Sequence, residues 1–288
     1  MEHLPLKTVY FIHTIIADLA NKKISTSIKP INLATKDSFT KKLLYVQAGD
    51  FLLNETELFS YQLKTAELNL SLISQKPPLL ENQTGYINLK VKDTYYYSLT
   101  NLKAEGELFF NNKKINVKGS LWLDHQWANC GWQPADDKWT WFSVQLKNGV
   151  DIVCFEFGGK TKTFLATMTD SRGRQKSTSR VILKPLNISW QSPKTGANYQ
   201  LEWKIFLPEF AIELRVKPYL KSQEMIFGVI NYWEGGLAID ANVNGEQIDG
   251  LGFLEIAGES MKKSISSILE KEIVLAIKNK FNKFFKNS

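Results

Sequence analysis

The feature that most constrains the fold is a regular succession of short β-rich segments, which begins near residue 85 and continues through most of the chain. Asn148-Gly149 and Asn244-Gly245 are strong hairpin signals, because the Asn-Gly pair accepts the positive backbone φ angles of a tight turn. Many antiparallel strands at regular spacing predict an all-β sandwich or closed barrel, and the 12% aromatic content favours a barrel that holds a ligand. The clearest segments span residues 85–90, 107–110, 115–123, 139–146 and 150–157.

Length and charge constrain the domain organisation and the partners. A chain of 288 residues predicts two domains or one large all-β domain, and a polar stretch at 129–137 places the boundary between domains at 1–132 and 133–260.

The tail, 261–288, has helical periodicity and seven lysines against two glutamates, so it carries five of the seven net positive charges. The remainder is nearly neutral, and we expect no nucleic-acid partner. The tail fits either an amphipathic helix on an anionic membrane surface or a helix docked on a barrel end.

Asp124 and His125 lie in the most unusual local sequence, where five tryptophans surround one acid and one imidazole. Such crowding indicates an apolar cavity with reactive groups in its wall. Neighbouring side chains in a strand point to opposite faces, so only one of the pair can face a cavity unless a bulge intervenes. Asp124 would share a face with Trp122, and His125 with Trp127. The five tryptophans are Trp122, Trp127, Trp132, Trp139 and Trp141.

Asp124 is the better candidate acid on chemical grounds. A carboxyl group that faces an apolar cavity has its pKa raised by desolvation, and it could protonate an isolated alkene. The resulting cation could rest against indole faces, while His125 positions or deprotonates the attacking water. The alternative is structural: Asp124 caps a turn and His125 forms a hydrogen bond across strands.

Other aromatic and acidic residues are candidate ligand contacts. Tyr96 and Tyr97 alternate along one strand, and we expect one of them to contact the ligand. The remaining candidates could instead be packing residues or, for the glutamate, a member of an ion pair. These candidates are Trp139, Trp141, Trp233 and Glu234.

Several classes of protein are not expected from this sequence. Cys130 and Cys154 are too few for a disulfide-built scaffold, and either a pair or two thiols is compatible with their positions. The three histidines stand apart, so we expect no metal. Nucleotide-binding glycine loops and a G-x-S-x-G elbow are absent from the sequence, which predicts a protein that needs no cofactor. The opening segment is a poor signal peptide, and we expect a cytoplasmic or peripheral membrane protein.

Short aromatic motifs occur in a fixed order from roughly residue 8 to residue 258. They are Tyr-Phe-Ile-His at 10–13, Tyr-Tyr-Tyr-Ser at 95–98, Trp-Leu-Asp-His-Gln-Trp at 122–127, Trp-Thr-Trp-Phe at 139–142, Tyr-Trp-Glu-Gly at 232–235 and Gly-Phe-Leu-Glu at 252–255. In this order the chain resembles the AttH-like family, which includes the CrtC-type carotenoid hydratases. The resemblance implies two lipocalin-like β-barrel domains and roles for His125 and Trp127 in activity. The Glu-Trp-Trp-Tyr segment typical of the family's front is missing from this sequence, so the first barrel is expected to be incomplete or closed differently.

The resemblance leaves three functional hypotheses. The first is a hydratase that adds water to a double bond of an apolar isoprenoid or polyene, with Asp124, His125 and Trp127 as its catalytic residues. The second is a non-catalytic carrier of an apolar molecule. The third is a pericyclase of the same fold, in which Trp127, Trp139 and Trp233 shape the substrate.

Overall fold

A computed structural model describes residues 9–32, 43–90, 92–110, 113–128, 138–227 and 230–262. Within these residues the protein is built of β-strands and two 3₁₀ turns, so the predicted all-β class is confirmed. The predicted C-terminal helix, the loop at 129–137 and Cys130 lie outside the described residues. No helix in the described part of the chain is long and apolar enough to cross a membrane.

The first ten strands and one 3₁₀ turn precede residue 129. They are β1 (Val9–Asp18), β2 (Lys23–Asn32), β3 (Tyr45–Ala48), β4 (Phe51–Glu57), β5 (Ser60–Lys64), β6 (Leu68–Ser74), β7 (Leu79–Leu80), the turn Glu81–Gln83, β8 (Tyr86–Asn88), β9 (Asp93–Phe110) and β10 (Lys113–Ala128).

Twelve further strands and the second 3₁₀ turn follow residue 138. They are β11 (Trp139–Leu146), β12 (Asp151–Phe157), β13 (Thr163–Thr169), β14 (Gln175–Thr178), β15 (Ile182–Pro185), β16 (Ser189–Gln191), β17 (Asn198–Gln200), β18 (Trp203–Leu207), the turn Pro208–Phe210, β19 (Ile212–Pro218), β20 (Glu224–Phe227), β21 (Ile230–Val243) and β22 (Glu246–Ala257).

Two large antiparallel sheets contain most of these strands. The eight-stranded sheet has the order β10-β9-β6-β5-β4-β3, with β7 and β8 also paired to β9. The ten-stranded sheet has the order β14-β13-β12-β11-β22-β21-β19-β18-β15, with β20 paired to β21. The β1-β2 and β16-β17 pairs form separate ribbons. Both predicted hairpins are present, and Asn244 and Gly245 take φ angles of 53° and 91°, as the tight turn between β21 and β22 requires.

The chain divides into two compact units. The first comprises Met1–Cys130, Lys147–Val153 and Ala166–Thr178, and the second comprises Gly131–Leu146, Cys154–Leu165 and Ser179–Ser288. Apolar side chains from β5, β6 and β9 form the core of the first unit, and alternate residues of the long strands β18, β19, β21 and β22 contribute the core of the second. The first-unit cluster is Tyr61, Leu70, Leu72, Leu99, Leu102 and Ala104.

A β-bulge in β9 decides which residues of that strand face the core. Leu123 pairs with Leu99 and Leu121 pairs with Leu102, so two residues of β9 stand opposite Trp122 alone. In a regular strand Leu99 and Leu102 would point to opposite faces. The extra residue allows both leucines to enter the core, where neither is exposed.

Candidate active site

The β9–β10 ribbon carries the predicted acid and imidazole on its two opposite faces. Asp124 pairs with Ser98 and His125 pairs with Tyr97 in the antiparallel register. Because side chains alternate along each strand, Asp124, Trp122 and Ser98 occupy one face, and His125 and Tyr97 the other. The predicted alternation is therefore confirmed, and the two groups cannot converge on one ligand atom from the same side.

Asp124 is the centre of a hydrogen-bonded network. Its Oδ1 atom accepts a hydrogen bond of 2.6 Å from the Ser98 hydroxyl and one of 2.8 Å from the Trp122 indole Nε1–H. The Tyr96 hydroxyl is near enough to this carboxyl to favour its charged form. Asp124 is exposed to solvent, yet desolvation by the surrounding protein outweighs the influence of these three donors and raises the pKa of its carboxyl.

Glu81 places a second carboxyl group beside this network. Its side chain is completely buried, and neither carboxyl oxygen makes a hydrogen bond of good geometry within the described residues. The Ser98 and Thr167 hydroxyls are close enough to favour its charged form, but burial dominates and raises its pKa well above the ordinary value. The charge of Asp124 raises the pKa of Glu81 further, so the two carboxyls interact.

The backbone around Glu81 holds this residue beside β9. Leu79 and Leu80 pair with Ser98 and Tyr97, so the chain enters the turn at Glu81 next to the strand that carries Ser98. The next residue, Asn82, has a φ of 54°, and its N–H donates to the Thr167 hydroxyl over 3.1 Å. The Gly85 N–H then closes the turn on the Glu81 carbonyl over 2.8 Å.

The opposite face of the ribbon is aromatic. The His125 ring lies 4.9 Å from the Trp127 ring and 5.2 Å from the Tyr97 ring, and a 3.1 Å hydrogen bond joins His125 Nδ1 to the Tyr97 hydroxyl. Tyr95 stacks on Trp127 at 5.6 Å, and both are about half exposed. Desolvation lowers the pKa of His125, so the neutral imidazole is favoured.

The candidate residues of the second unit lie on two faces of its sheet. Trp141 and Glu234 are each register partners of Glu255, which places an indole and two carboxyls side by side across three strands. Trp139, two residues before Trp141, shares that face. Trp233 occupies the other face, where it is fully buried and donates from Nε1 to the Lys221 carbonyl over 2.6 Å. Packing is the role that the surroundings of Trp233 support, and its predicted ligand contact stays a prediction.

The family follows from a comparison with known proteins. A family model described as AttH-like matches residues 2–259. The chain belongs to the AttH-like family. A dehydratase of Emericella nidulans, asqC, is similar to this AttH-like chain, with 22% identity over 193 residues, which cover 62% of this chain and 54% of the dehydratase. The match thus spans about half the length of that curated relative.

Solved structures of relatives share the fold of this AttH-like protein. An AttH protein of Nitrosomonas europaea superposes with a TM-score of 0.77 at 23% identity, covering 90% of this chain and 84% of its own. Kievitone hydratase from Nectria haematococca superposes with a TM-score of 0.74 at 19% identity, covering 88% and 81%. The predicted lipocalin-like fold is confirmed by these likenesses.

Sequence reasoning missed Glu81 and the contribution of Ser98 and Thr167. Glu81 follows two prolines and two leucines in a turn-rich segment, where a charged residue is ordinarily solvent-exposed. The only available signal was an acid directly after an apolar pair, which is too common to indicate a site. In the described part of the AttH-like chain, no group of three or more His, Cys, Asp or Glu side chains is arranged to hold a metal ion.

Proposed function

We propose that this AttH-like protein adds water to, or removes it from, a carbon–carbon double bond in an apolar, isoprenoid-like molecule, with Asp124 as the proton-transferring acid. Hydration and dehydration are the two directions of one reaction, and the names of kievitone hydratase and of the dehydratase asqC cover both. A carotenoid-like polyene belongs to this substrate class. The reaction requires a strong proton donor in an apolar setting and no redox step.

The geometry of Asp124 is the observation that carries the proposal. The Ser98 hydroxyl and the Trp122 indole both donate to Oδ1, and we assign the transferable proton to Oδ2. Desolvation by the neighbouring protein groups raises the pKa of this carboxyl, which keeps the proton available closer to neutral pH, while Asp124 remains exposed to solvent. A general acid must combine these properties.

Asp124 both supplies the proton of the reaction and receives it back. Oδ2 gives its proton to one alkene carbon, and the other carbon becomes a cation. The Trp122 ring is held beside the carboxyl by its hydrogen bond, where its face can stabilise that cation. A water molecule adds to the cation and releases a proton, which returns to Asp124. Dehydration follows the same steps in reverse.

In this proposal His125 is not the acid–base partner of Asp124, although the sequence led us to expect that role. It lies on the opposite face of β10 from Asp124, so it cannot act on a substrate atom that Asp124 protonates. The aromatic wall formed by His125, Trp127, Tyr95 and Tyr97 instead favours a second candidate function, the binding of an apolar molecule without chemistry.

Two variants and a matched control separate these functions. The purified protein is incubated with acyclic carotenoids and prenylated aromatic compounds in isotope-labelled water, and product is followed by mass spectrometry. We expect Asp124→Asn to reduce label incorporation by about 100-fold or more, because amide nitrogen cannot supply the proton. Asp50→Asn, in an exposed turn, should retain full activity.

The outcomes distinguish the hypotheses. His125→Ala should weaken substrate binding. The factor by which its affinity falls should be smaller than the factor by which turnover falls in Asp124→Asn. Full activity in Asp124→Asn would reject the assignment of the acid. Recovery of a bound, chemically unchanged lipid, with no labelled product from any substrate, would support the carrier instead.

A further inference from the structure

Glu81 is a buried acid that the proposed reaction does not use. Transfer of a carboxyl group into the protein interior is costly unless it is hydrogen-bonded or neutral, and this carboxyl has no hydrogen bond of good geometry within the described residues. Its turn is built with a positive φ at both Asn82 and Gln83, 54° and 62°, a conformation that non-glycine residues adopt at an energetic cost. A buried, poorly satisfied acid held by a strained turn indicates a functional role.

Ser98 is the group that connects Glu81 to Asp124. It is completely buried, it donates its single hydroxyl proton to Asp124 Oδ1 over 2.6 Å, and its oxygen is near the Glu81 carboxyl. A hydroxyl can accept one hydrogen bond while it donates another. When Glu81 carries a proton, the chain Glu81, Ser98, Asp124 can therefore act as a proton path of two short steps.

The other titratable groups around Glu81 leave Asp124 as its principal electrostatic partner. Burial raises the pKa of Tyr96 from β9, and the charges of both carboxyls raise it further, so this phenol stays neutral. The 3₁₀ turn also packs against β8 and β14, whose titratable residues Tyr86 and Lys176 are both exposed to solvent. No cation among the described residues contributes to the shift at Glu81.

We infer that Glu81 and Asp124 form a coupled carboxyl pair joined through Ser98, in which Glu81 stores the proton that Asp124 exchanges with the substrate. After Asp124 protonates the alkene, Glu81 gives its proton to the Ser98 oxygen and the Ser98 hydroxyl proton passes to Asp124 Oδ1. The negative charge then lies on Glu81. When the added water releases its proton to Oδ2, the Oδ1 proton returns through Ser98 to Glu81. Glu81 thus acts through Asp124, and the inference rests on the proposed function.

The pair can be tested without any substrate. The carbonyl stretch of protonated carboxylic acids is followed by infrared spectroscopy during a pH titration of the full-length protein, and spectra of Glu81→Gln and Asp124→Asn are subtracted from the wild type. We expect two separated steps for the pair in the wild type and one step in each variant. That single step should lie at least about one pH unit below the upper wild-type step, because the second proton no longer leaves beside a carboxylate.

Each outcome decides the inference. An upper step that is unchanged in Asp124→Asn would mean that Glu81 titrates independently, and it would overturn the pair. Absence of a protonated carboxyl band from Glu81 near neutral pH would also overturn it. If Glu81→Gln does not fold, Asp124→Asn alone decides, since it removes one partner and leaves Glu81 in place. Coupled steps without turnover would refute only the proposed function, whereas independent steps with turnover lost in Asp124→Asn would refute only the pair.

Discussion

The ion pair between Lys76 and Asp151 permits a quantitative test of what holds the first unit together. Lys76 Nζ lies 2.6 Å from Asp151 Oδ2, and the two side chains are only 9% and 3% exposed. Lys76 also donates to the Gly149 carbonyl and the Thr100 hydroxyl donates to Asp151 Oδ2, each over 2.6 Å. These contacts attach the segment Lys147–Val153 to Thr100 in β9 and to Lys76, which lies between β6 and β7.

Lys76→Met removes the cation but keeps most of the side-chain volume. It leaves the Asp151 carboxyl buried with the Thr100 hydroxyl as its remaining donor among these contacts. Loss of one partner of a buried ion pair costs about 3–5 kcal/mol of unfolding free energy. For a protein of this size, that cost lowers the melting temperature by roughly 10 °C. Replacing both partners, as in Lys76→Met with Asp151→Leu, should recover most of the loss because no unpaired charge remains.

The pH dependence supplies a second measurement. Desolvation raises the pKa of Asp151, and Lys76 opposes that rise. A carboxyl whose folded pKa is raised binds more protons in the folded state, so its contribution to stability falls as pH increases through that pKa. Without Lys76 the folded pKa rises further, and the variant should lose more stability at about pH 8 than at about pH 5. Denaturant unfolding at both pH values measures this difference.

The matched control is Lys103→Met, which breaks the exposed ion pair with Glu105 and should leave the melting temperature nearly unchanged. An equally small effect of Lys76→Met, with no dependence on pH, would refute the argument that Asp151 is a desolvated charge held by one cation.

Two further predictions concern packing and hydrogen bonding. Glu55→Gln should cost about 1–3 kcal/mol by chemical denaturation, because the carboxylate accepts hydrogen bonds at both oxygens and an amide nitrogen cannot accept; an unchanged midpoint would contradict this. Gly252→Ala should cost more than about 3 kcal/mol or prevent folding, because its Cβ would lie 2.0 Å from the Ser143 carbonyl oxygen. Gly119→Ala is the control, since its Cβ would meet nothing within 4 Å, and equal melting temperatures for both variants would refute the close-contact argument.

The sequence predicts local geometry better than it predicts distant contacts. Strand alternation around Asp124 and His125 and the Asn244-Gly245 turn follow from two or three neighbouring residues, and both are confirmed. The electrostatic interaction of Glu81 with Asp124 joins residues 43 positions apart, through a turn whose path depends on Asn82 and on Thr167. No periodicity marks such a contact, because the acid belongs to a turn and the hydroxyls that surround it are common in strands.

The bulge in β9 links packing to chemistry in this protein. Before the bulge, Tyr97 and Leu99 contact the core cluster; after it, Leu102 and Ala104 are members of that cluster. If the same residues alternated regularly, without the bulge, a core position for Leu102 would place Leu99 on the opposite face and turn Ser98 toward the core, away from Asp124. The bulge therefore determines both which leucines are buried and whether Ser98 can join the two carboxyls, so the proposed proton path depends on the same feature that packs the first unit.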